Sequence, residues 1–246
     1  LRCLVGSEMC IRDRYVAVDY REIAKMPEGY DFTVAAAIPL TGLTAYQGLM
    51  EELEAKSGET LLITGGSGSF GQMAVPIAKD LGLNVIVTGN GRAREQFLAM
   101  GTDHYIDYKK TNYWEILSEI DMVIDTLGPG EFEHELSVLK KGGRLLSLRT
   151  GPNKAFAERN HISGLKKVLF TLAGSKYDKA AKMQGKEYRF IFVHSDGEQL
   201  QKITQIVEKN HIVPAVDPHI FTIEQANDAL KLVAQGSING KVIIQM

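Results

Sequence analysis

The chain has 246 residues and a formal net charge of −2, enough length for one large domain or one domain plus part of another, and too little charge of either sign to imply nucleic acid or an anionic membrane as a partner. Both cysteines, Cys3 and Cys10, lie in the opening stretch, and the six histidines form no H-x-H or H-x-x-x-H pair, so neither a disulfide framework nor a metal site is expected. No apolar run is long enough to span a bilayer and no signal-peptide pattern opens the chain, which makes a cytoplasmic protein the expectation.

The opening LRCLVGSEMCIRDR fits no secondary-structure period and resembles the translated adapter sequence that contaminates assembled reading frames. Residues 1–14 are therefore read as a non-native leader. From Tyr15, YVAVDYREIAKMP alternates apolar and polar residues before Pro27 and Gly29, as a strand leaving a small β-domain would. Residues 33–50, TVAAAIPLTGLTAYQGLM, predict two buried helical pieces broken around Pro39 and Gly42.

LLITGGSGSFGQMAVPIAK, residues 61–79, combines an apolar strand, a glycine turn and a helix. Gly66, Gly68 and Gly71 stand as G-x-G-x-x-G: the first permits the tight turn, the second lets backbone approach a diphosphate, the third lets helix pack on strand. A helix from about Ser69 to Leu81 aims its unpaired N–H groups and positive dipole end at that turn. Gly66, Ser67, Gly68, Ser69, Phe70 and Gly71 are accordingly candidate cofactor-binding residues.

Strands are predicted next at 84–88, 104–107, 122–125, 144–148 and 188–193, with helices at 92–100, 113–119 and 130–139. This alternation argues an α/β fold with a doubly wound parallel sheet. Residues 153–186 exceed an ordinary connection, and Leu165, Val168, Leu169 and Leu172 recur at helical spacing among many lysines; the lysines read as a solvated face, with an acidic substrate tail such as coenzyme A as the alternative. A helix at 198–208, an irregular extended segment HIVPAVDPHI, a capped amphipathic helix ending near Gly236 and a final strand KVIIQ complete the reading.

The second strand should end in Asp or Glu for NAD, to hold the ribose 2′-hydroxyl. Thr88, Gly89 and Asn90 stand there instead, and Arg92 and Arg94 follow at once. A guanidinium suits the 2′-phosphate of NADP, so NADP(H) is the expected cofactor. Asp107 and Asp125, at strand ends, read as capping carboxylates, and no catalytic acid or base is assigned.

Taken with AAAIPLTGLTAYQGL, LAMGTDHYIDY, VIDTLG, LKKGGRLLSL and INGKVII, in this order, the chain resembles the medium-chain dehydrogenase/reductase superfamily, in its zinc-independent quinone oxidoreductase (zeta-crystallin-like) branch, N-terminally truncated. It departs from the usual pattern at Ser69, where a further glycine is common, and at Pro76, where glutamine is common. The resemblance implies a Rossmann NADP-binding domain with hinge helices over residues 33–210, flanked by remnants of a GroES-like β-barrel domain at 15–32 and 211–246. It places Tyr108 beside the adenosine end, Thr126 and Leu127 in the crevice at the sheet's switch point and Thr44 near the nicotinamide; Asn90, Phe192 and Lys241 complete the candidate set. The function implied is NADPH-dependent hydride transfer to a quinone or an α,β-unsaturated carbonyl. The alternatives are an enoyl-thioester reductase of the same superfamily and a non-catalytic NADP-binding subunit or redox sensor. The apolar strand at 188–193 would lie at a sheet edge, where the resembled family commonly dimerises, so a homodimer through it is expected.

Overall fold

A computed structural model describes residues 17–236, 238 and 240–245; the segment read as a leader lies outside the described residues. Residues 17–31 hold one 3-10 turn, Tyr20–Glu22, and no strand. The alternation there does not become a strand because the described part lies on α9 (Gly197–Lys209), where Gly197 leaves room for the carbonyls of Arg21 and Ile23. Helix α1 (Phe32–Ala35) starts on Asp31, whose carboxylate accepts from Val34 N at 2.8 Å. Pro39 opens α2 (Pro39–Gln47) at its first position, where the missing N–H costs nothing. The expected break thus falls before Pro39. Gly42 does not break α2; it lies inside it, with Ile203 against it. A π-helical turn, Gly48–Glu52, follows.

Alternation then proceeds: β1 (Thr60–Thr64), α3 (Ser69–Asp80), β2 (Asn84–Gly89), a 3-10 turn Gly91–Ala93 leading into α4 (Arg94–Ala99), β3 (His104–Asp107), α5 (Tyr113–Ile116), β4 (Ile120–Asp125), α6 (Phe132–Val138), β5 (Leu139–Ser147), α7 (Lys154–Arg159), α8 (Gly164–Met183) and β6 (Glu187–Phe190). The six strands form one parallel sheet in the order β3-β2-β1-β4-β5-β6. Parallel strands covered on both faces need apolar residues at every position, which is why Leu61, Leu62 and Ile63 are all fully buried.

Odd positions of β1 face α2, α3 and α9, in a core with Leu49, Met73, Ile77, Val85, Val87, Phe97, Ile124 and Ile203. Even positions face α6 and α8, in a second core with Val123, Phe132, Leu136, Leu145, Tyr177 and Tyr188. Pro76 sits inside α3 without ending it, and both its neighbours are fully buried.

Strand β6 is the sheet's edge, as expected, but it ends at Phe190 rather than 193. The Asn153 side chain donates to the Tyr188 carbonyl at 3.0 Å and Phe156 of α7 packs on Phe190. Beyond α9, β7 (Val216–Thr222) pairs in parallel with β8 (Lys241–Gln245) as a separate two-stranded sheet with a register shift. Between them α10 (Ala226–Gln235) stops at Gly236, whose φ of 69° is the left-handed value glycine tolerates. No described helix is long and apolar enough to cross a membrane.

Candidate functional site

The carboxyl ends of β1, β2 and β4 meet at the point where the strand order reverses, the place where open α/β sheets bind ligands. Each glycine of the turn there has a measurable reason. A Cβ on Gly71 would stand 1.7 Å from the Gly66 carbonyl oxygen, so only glycine lets α3 start this close to β1. A Cβ on Gly66 would come within 2.8 Å of Ile63, whereas around Gly68 nothing lies within 4 Å, leaving that backbone open to a ligand. Gly68 also caps α3 without a side chain, so the first N–H groups of a twelve-residue helix point outward for an anion. The turn is held from β2: Gly65 N donates to Thr88 Oγ1 at 3.0 Å and Gly66 N to the Thr88 carbonyl at 2.9 Å.

At the end of β2, a Cβ on Gly89 would lie 2.3 Å from Tyr105 Oη and 2.4 Å from Ser67 Cβ. No acidic side chain fits at that position. Asn90 follows, with its Oδ1 accepting from Arg92 N at 3.2 Å and its carbonyl accepting from Tyr105 Oη at 2.7 Å. The two arginines differ: Arg94 Nη1 donates to the Tyr105 carbonyl at 2.6 Å, while the exposed Arg92 guanidinium has no partner among the described residues. Asp107 also reaches this segment, packing against Gly91 and accepting from Lys109 N at 3.0 Å.

A cavity of about 460 Å³ opens beside the turn. Of the candidates read from sequence, Ser67, Asn90, Tyr108 and Leu127 line it. Thr111, Asn112, Tyr113, Trp114 and Glu131 line it too and were missed. Their signal was the aromatic pair Tyr113 and Trp114 after a predicted strand end, which the reading of a helix at 113–119 passed over. The Tyr113 hydroxyl is buried without a protein partner, and Trp114 stacks on His134 with ring centroids 3.7 Å apart. Burial, then the charges of Glu135, Glu131 and Asp125, raise the Tyr113 pKa, so the hydroxyl keeps its proton. A larger hollow of about 860 Å³ lies between residues 19–28 and α9 and is lined by none of the glycine turn.

Across the switch point, Thr126 Oγ1 donates to the Thr64 carbonyl at 2.8 Å, and Leu127 lies over Gly65, where a Cβ would meet it at 2.5 Å. Asp125 is 1% exposed and fully engaged: Oδ1 accepts from Leu127 N and Gly128 N, both at 2.7 Å, and Oδ2 from the hydroxyls of Ser147 at 2.6 Å and Thr150 at 3.3 Å. This is the capping role its strand-end position suggested. Thr44, on α2, donates to the Leu40 carbonyl at 2.7 Å. Phe192 is exposed just beyond β6, and Lys241 is half-buried on β8 opposite Val216, with burial lowering its ammonium pKa. None of these three lines the cavity beside the turn. Among the described residues no three His, Cys, Asp or Glu side chains come together as metal ligands would.

Residues 100–244 match the family model described as zinc-binding dehydrogenase. The chain is 30% identical over 233 residues to a 2-methylene-furan-3-one reductase of Solanum lycopersicum and 28% identical over 233 residues to an NADPH-dependent alkenal/one oxidoreductase, chloroplastic, of Arabidopsis thaliana. Each alignment takes in 94% of this chain and 51% of the relative, so the chain spans about half the length of these proteins. Among solved structures, a quinone oxidoreductase from Coxiella burnetii superposes with a TM-score of 0.72 at 24% identity, over 90% of this chain and 63% of the other.

Proposed function

The chain belongs to the zinc-binding dehydrogenase family, within the medium-chain dehydrogenase/reductase superfamily, and on that premise we propose that it is the nucleotide-binding part of a zinc-independent, NADPH-dependent reductase of quinones or α,β-unsaturated carbonyls. The observation that carries the cofactor choice is the end of β2. Gly89 has no room for the carboxylate an NAD site uses, Asn90 is engaged in capping the turn, and Arg92 stands free within the next two residues. The substrate class rests on the names of the relatives, an alkenal/one oxidoreductase and a furanone reductase, and on the fold shared with a quinone oxidoreductase.

NADPH, when bound, supplies the hydride. The uncapped N–H groups at Ser69, Phe70 and Gly71, with the open backbone of Gly66, Ser67 and Gly68, bind the diphosphate. Arg92 takes the 2′-phosphate, while Arg94, tied to β3, positions the segment that carries it. The aromatic cavity of Tyr108, Tyr113 and Trp114 receives the adenosine end, and Thr126 and Leu127 wall the crevice leading to the nicotinamide. Thr44 is assigned to the nicotinamide side, where the substrate approaches, and Phe192 and Lys241 are kept as weaker cofactor-binding candidates. The second wall of that cleft belongs to the portion of the relatives' length that this chain does not span, so cofactor binding outlasts turnover in the chain by itself.

The test is a titration with both nicotinamides. NADPH is expected to bind at least about tenfold tighter than NADH, the worth of one charge-assisted phosphate contact. Equal or reversed affinities would overturn the assignment. Joining a family β-barrel ahead of residue 15 should raise enone or quinone reduction well above that of the chain alone; unchanged turnover would sink the division of the cleft.

A further inference from the structure

Behind the crevice lies a second buried carboxyl. Glu135, on α6, is 0% exposed, with its Oε1 2.5 Å from Thr64 Oγ1 and its Oε2 without any hydrogen-bond partner. Thr64 Oγ1 also lies 3.3 Å from the Ile124 carbonyl, and one hydroxyl holds a single proton. A neutral Glu135 balances the arrangement: the Thr64 hydroxyl can donate to only one of the two oxygens beside it, so the acid's own proton supplies the second hydrogen bond, with Asp125 standing next to it as a further acceptor. Asp125 is the ionised partner, since four donors already converge on it. Among the described residues no lysine or arginine bonds to either group.

The position of this acid gives it leverage. Thr64 is the last residue of β1, directly before the glycine turn, and its carbonyl holds Thr126. Asp125 fixes the amides of Leu127 and Gly128, and Leu127 lies on Gly65. The two loops that wall the crevice are joined directly by Thr126 on the Thr64 carbonyl, and each rests on one member of this buried carboxyl pair.

We propose that Glu135 is a positioning residue whose proton latches the β1 glycine turn to the β4 loop, so that losing this proton separates the loops and weakens binding of the dinucleotide. The inference rests on the cofactor reading above for its ligand, though the latch itself does not. Ionising Glu135 would leave Thr64 choosing between two acceptors and set a second negative charge beside Asp125. The groups around it are Asp125 from β4, an anion, Tyr113 from α5, a neutral phenol, and Thr64 from β1, which does not titrate; Glu131 just before α6 and His134 on it pair with each other. Burial first, and the Asp125 charge second, push the acidity of Glu135 up to about 9, which puts the change in reach of experiment.

The experiment measures NADPH affinity from pH 7 to 10.5 for the chain and for Glu135→Gln, which keeps a donor toward Thr64 and cannot ionise. The unmodified chain should hold a constant Kd to about pH 8.5 and then lose about tenfold per pH unit; the variant should match it at pH 7 and stay flat. Coincident profiles, whether both flat or both falling, would overturn the latch. A readout without cofactor separates its failure from that of the cofactor reading. In glutamate labelled with ¹³C at the carboxyl, one resonance absent from the variant should titrate near pH 9. Over the same range the Leu127 and Gly128 amides should lose exchange protection in the unmodified chain alone. An ordinary titration near pH 4.5 refutes the proposal; alkaline titration with no NADPH binding at any pH retains the latch and removes the dinucleotide.

Discussion

The two faces of the sheet are built on different terms. The face under α2, α3 and α9 packs Leu61, Ile63, Val85, Val87, Met122 and Ile124 against Leu49, Met73 and Ile77, all without exposure. The face under α6 and α8 interrupts its apolar layer with Thr64, Asp125, Glu135 and Ser147, and two buried oxygens there, Tyr113 Oη and Glu135 Oε2, make no hydrogen bond to the described residues. Both faces bury polar groups, but Gln47 and Gln72 under α2 and α3 are paired with protein, as is Asp125 opposite, whereas the Tyr113 hydroxyl and Glu135 Oε2 are not, and their burial costs free energy unless a ligand or a proton satisfies them. The polar side is also the side on which Tyr113 lines the cavity.

Truncating the apolar face should give the largest effect. Ile63→Ala removes a fully buried side chain from the middle of the central strand and should cost about 2–5 kcal/mol in urea unfolding; a loss under about 1 kcal/mol would erase the distinction between the faces. Next comes the polar face, where the sign reverses. Because the folded-state pKa of Glu135 is raised from 4.5 to about 9, stability is complete below pH 4.5 and falls as pH rises toward 9. By linkage this amounts to about 3 kcal/mol at pH 7. Glu135→Gln should therefore be more stable at pH 7, by about 1–3 kcal/mol after imperfect accommodation, and should flatten the pH dependence of the urea midpoint. A destabilised variant with the slope intact would contradict this.

Comparing the two arginines sharpens the contrast between a fitted and a free group. Arg92→Ala should weaken NADPH about tenfold or more, roughly 1.4 kcal/mol, with NADH unchanged. Arg94→Ala should weaken both cofactors alike, because it removes a brace on the Tyr105 carbonyl and no phosphate partner. The smallest change is expected on the outer side of α8, where Leu172 is 66% exposed: Leu172→Ser should stay within about 0.5 kcal/mol of the parent in the same urea assay.

What the sequence disclosed follows this division. The glycine turn was legible because Gly66 and Gly71 answer local steric demands and Gly68 leaves its backbone open, and the strands because a parallel sheet needs unbroken apolar runs. Strand β5 began earlier than expected, at Leu139, because the LKKGG stretch pairs across a register shift with β4. The strand looked for after Tyr15 failed because alternation alone supplies no neighbour to pair with. Glu135 escaped notice although a trace was present: Phe132, Glu135 and Leu136 occupy one face of α6, so the spacing that buried the two apolar residues buried the acid as well. Which arginine is free could not be read, since the difference depends on where the Tyr105 carbonyl points.

The central place of β1 governs how the molecule must be assembled. Leu61 meets Val85 of the very next strand, but it meets Met122 only after β2, α4, β3 and α5 have been made. Until β4 arrives, the apolar strand Leu61–Leu62–Ile63 presents an open edge, and closing the long loop to it is the slow event. That interval is when two half-made sheets can pair with each other. Recovery of native protein on dilution from urea should therefore fall as chain concentration rises, while the equilibrium midpoint stays fixed; recovery independent of concentration would show that β4 docks before chains meet.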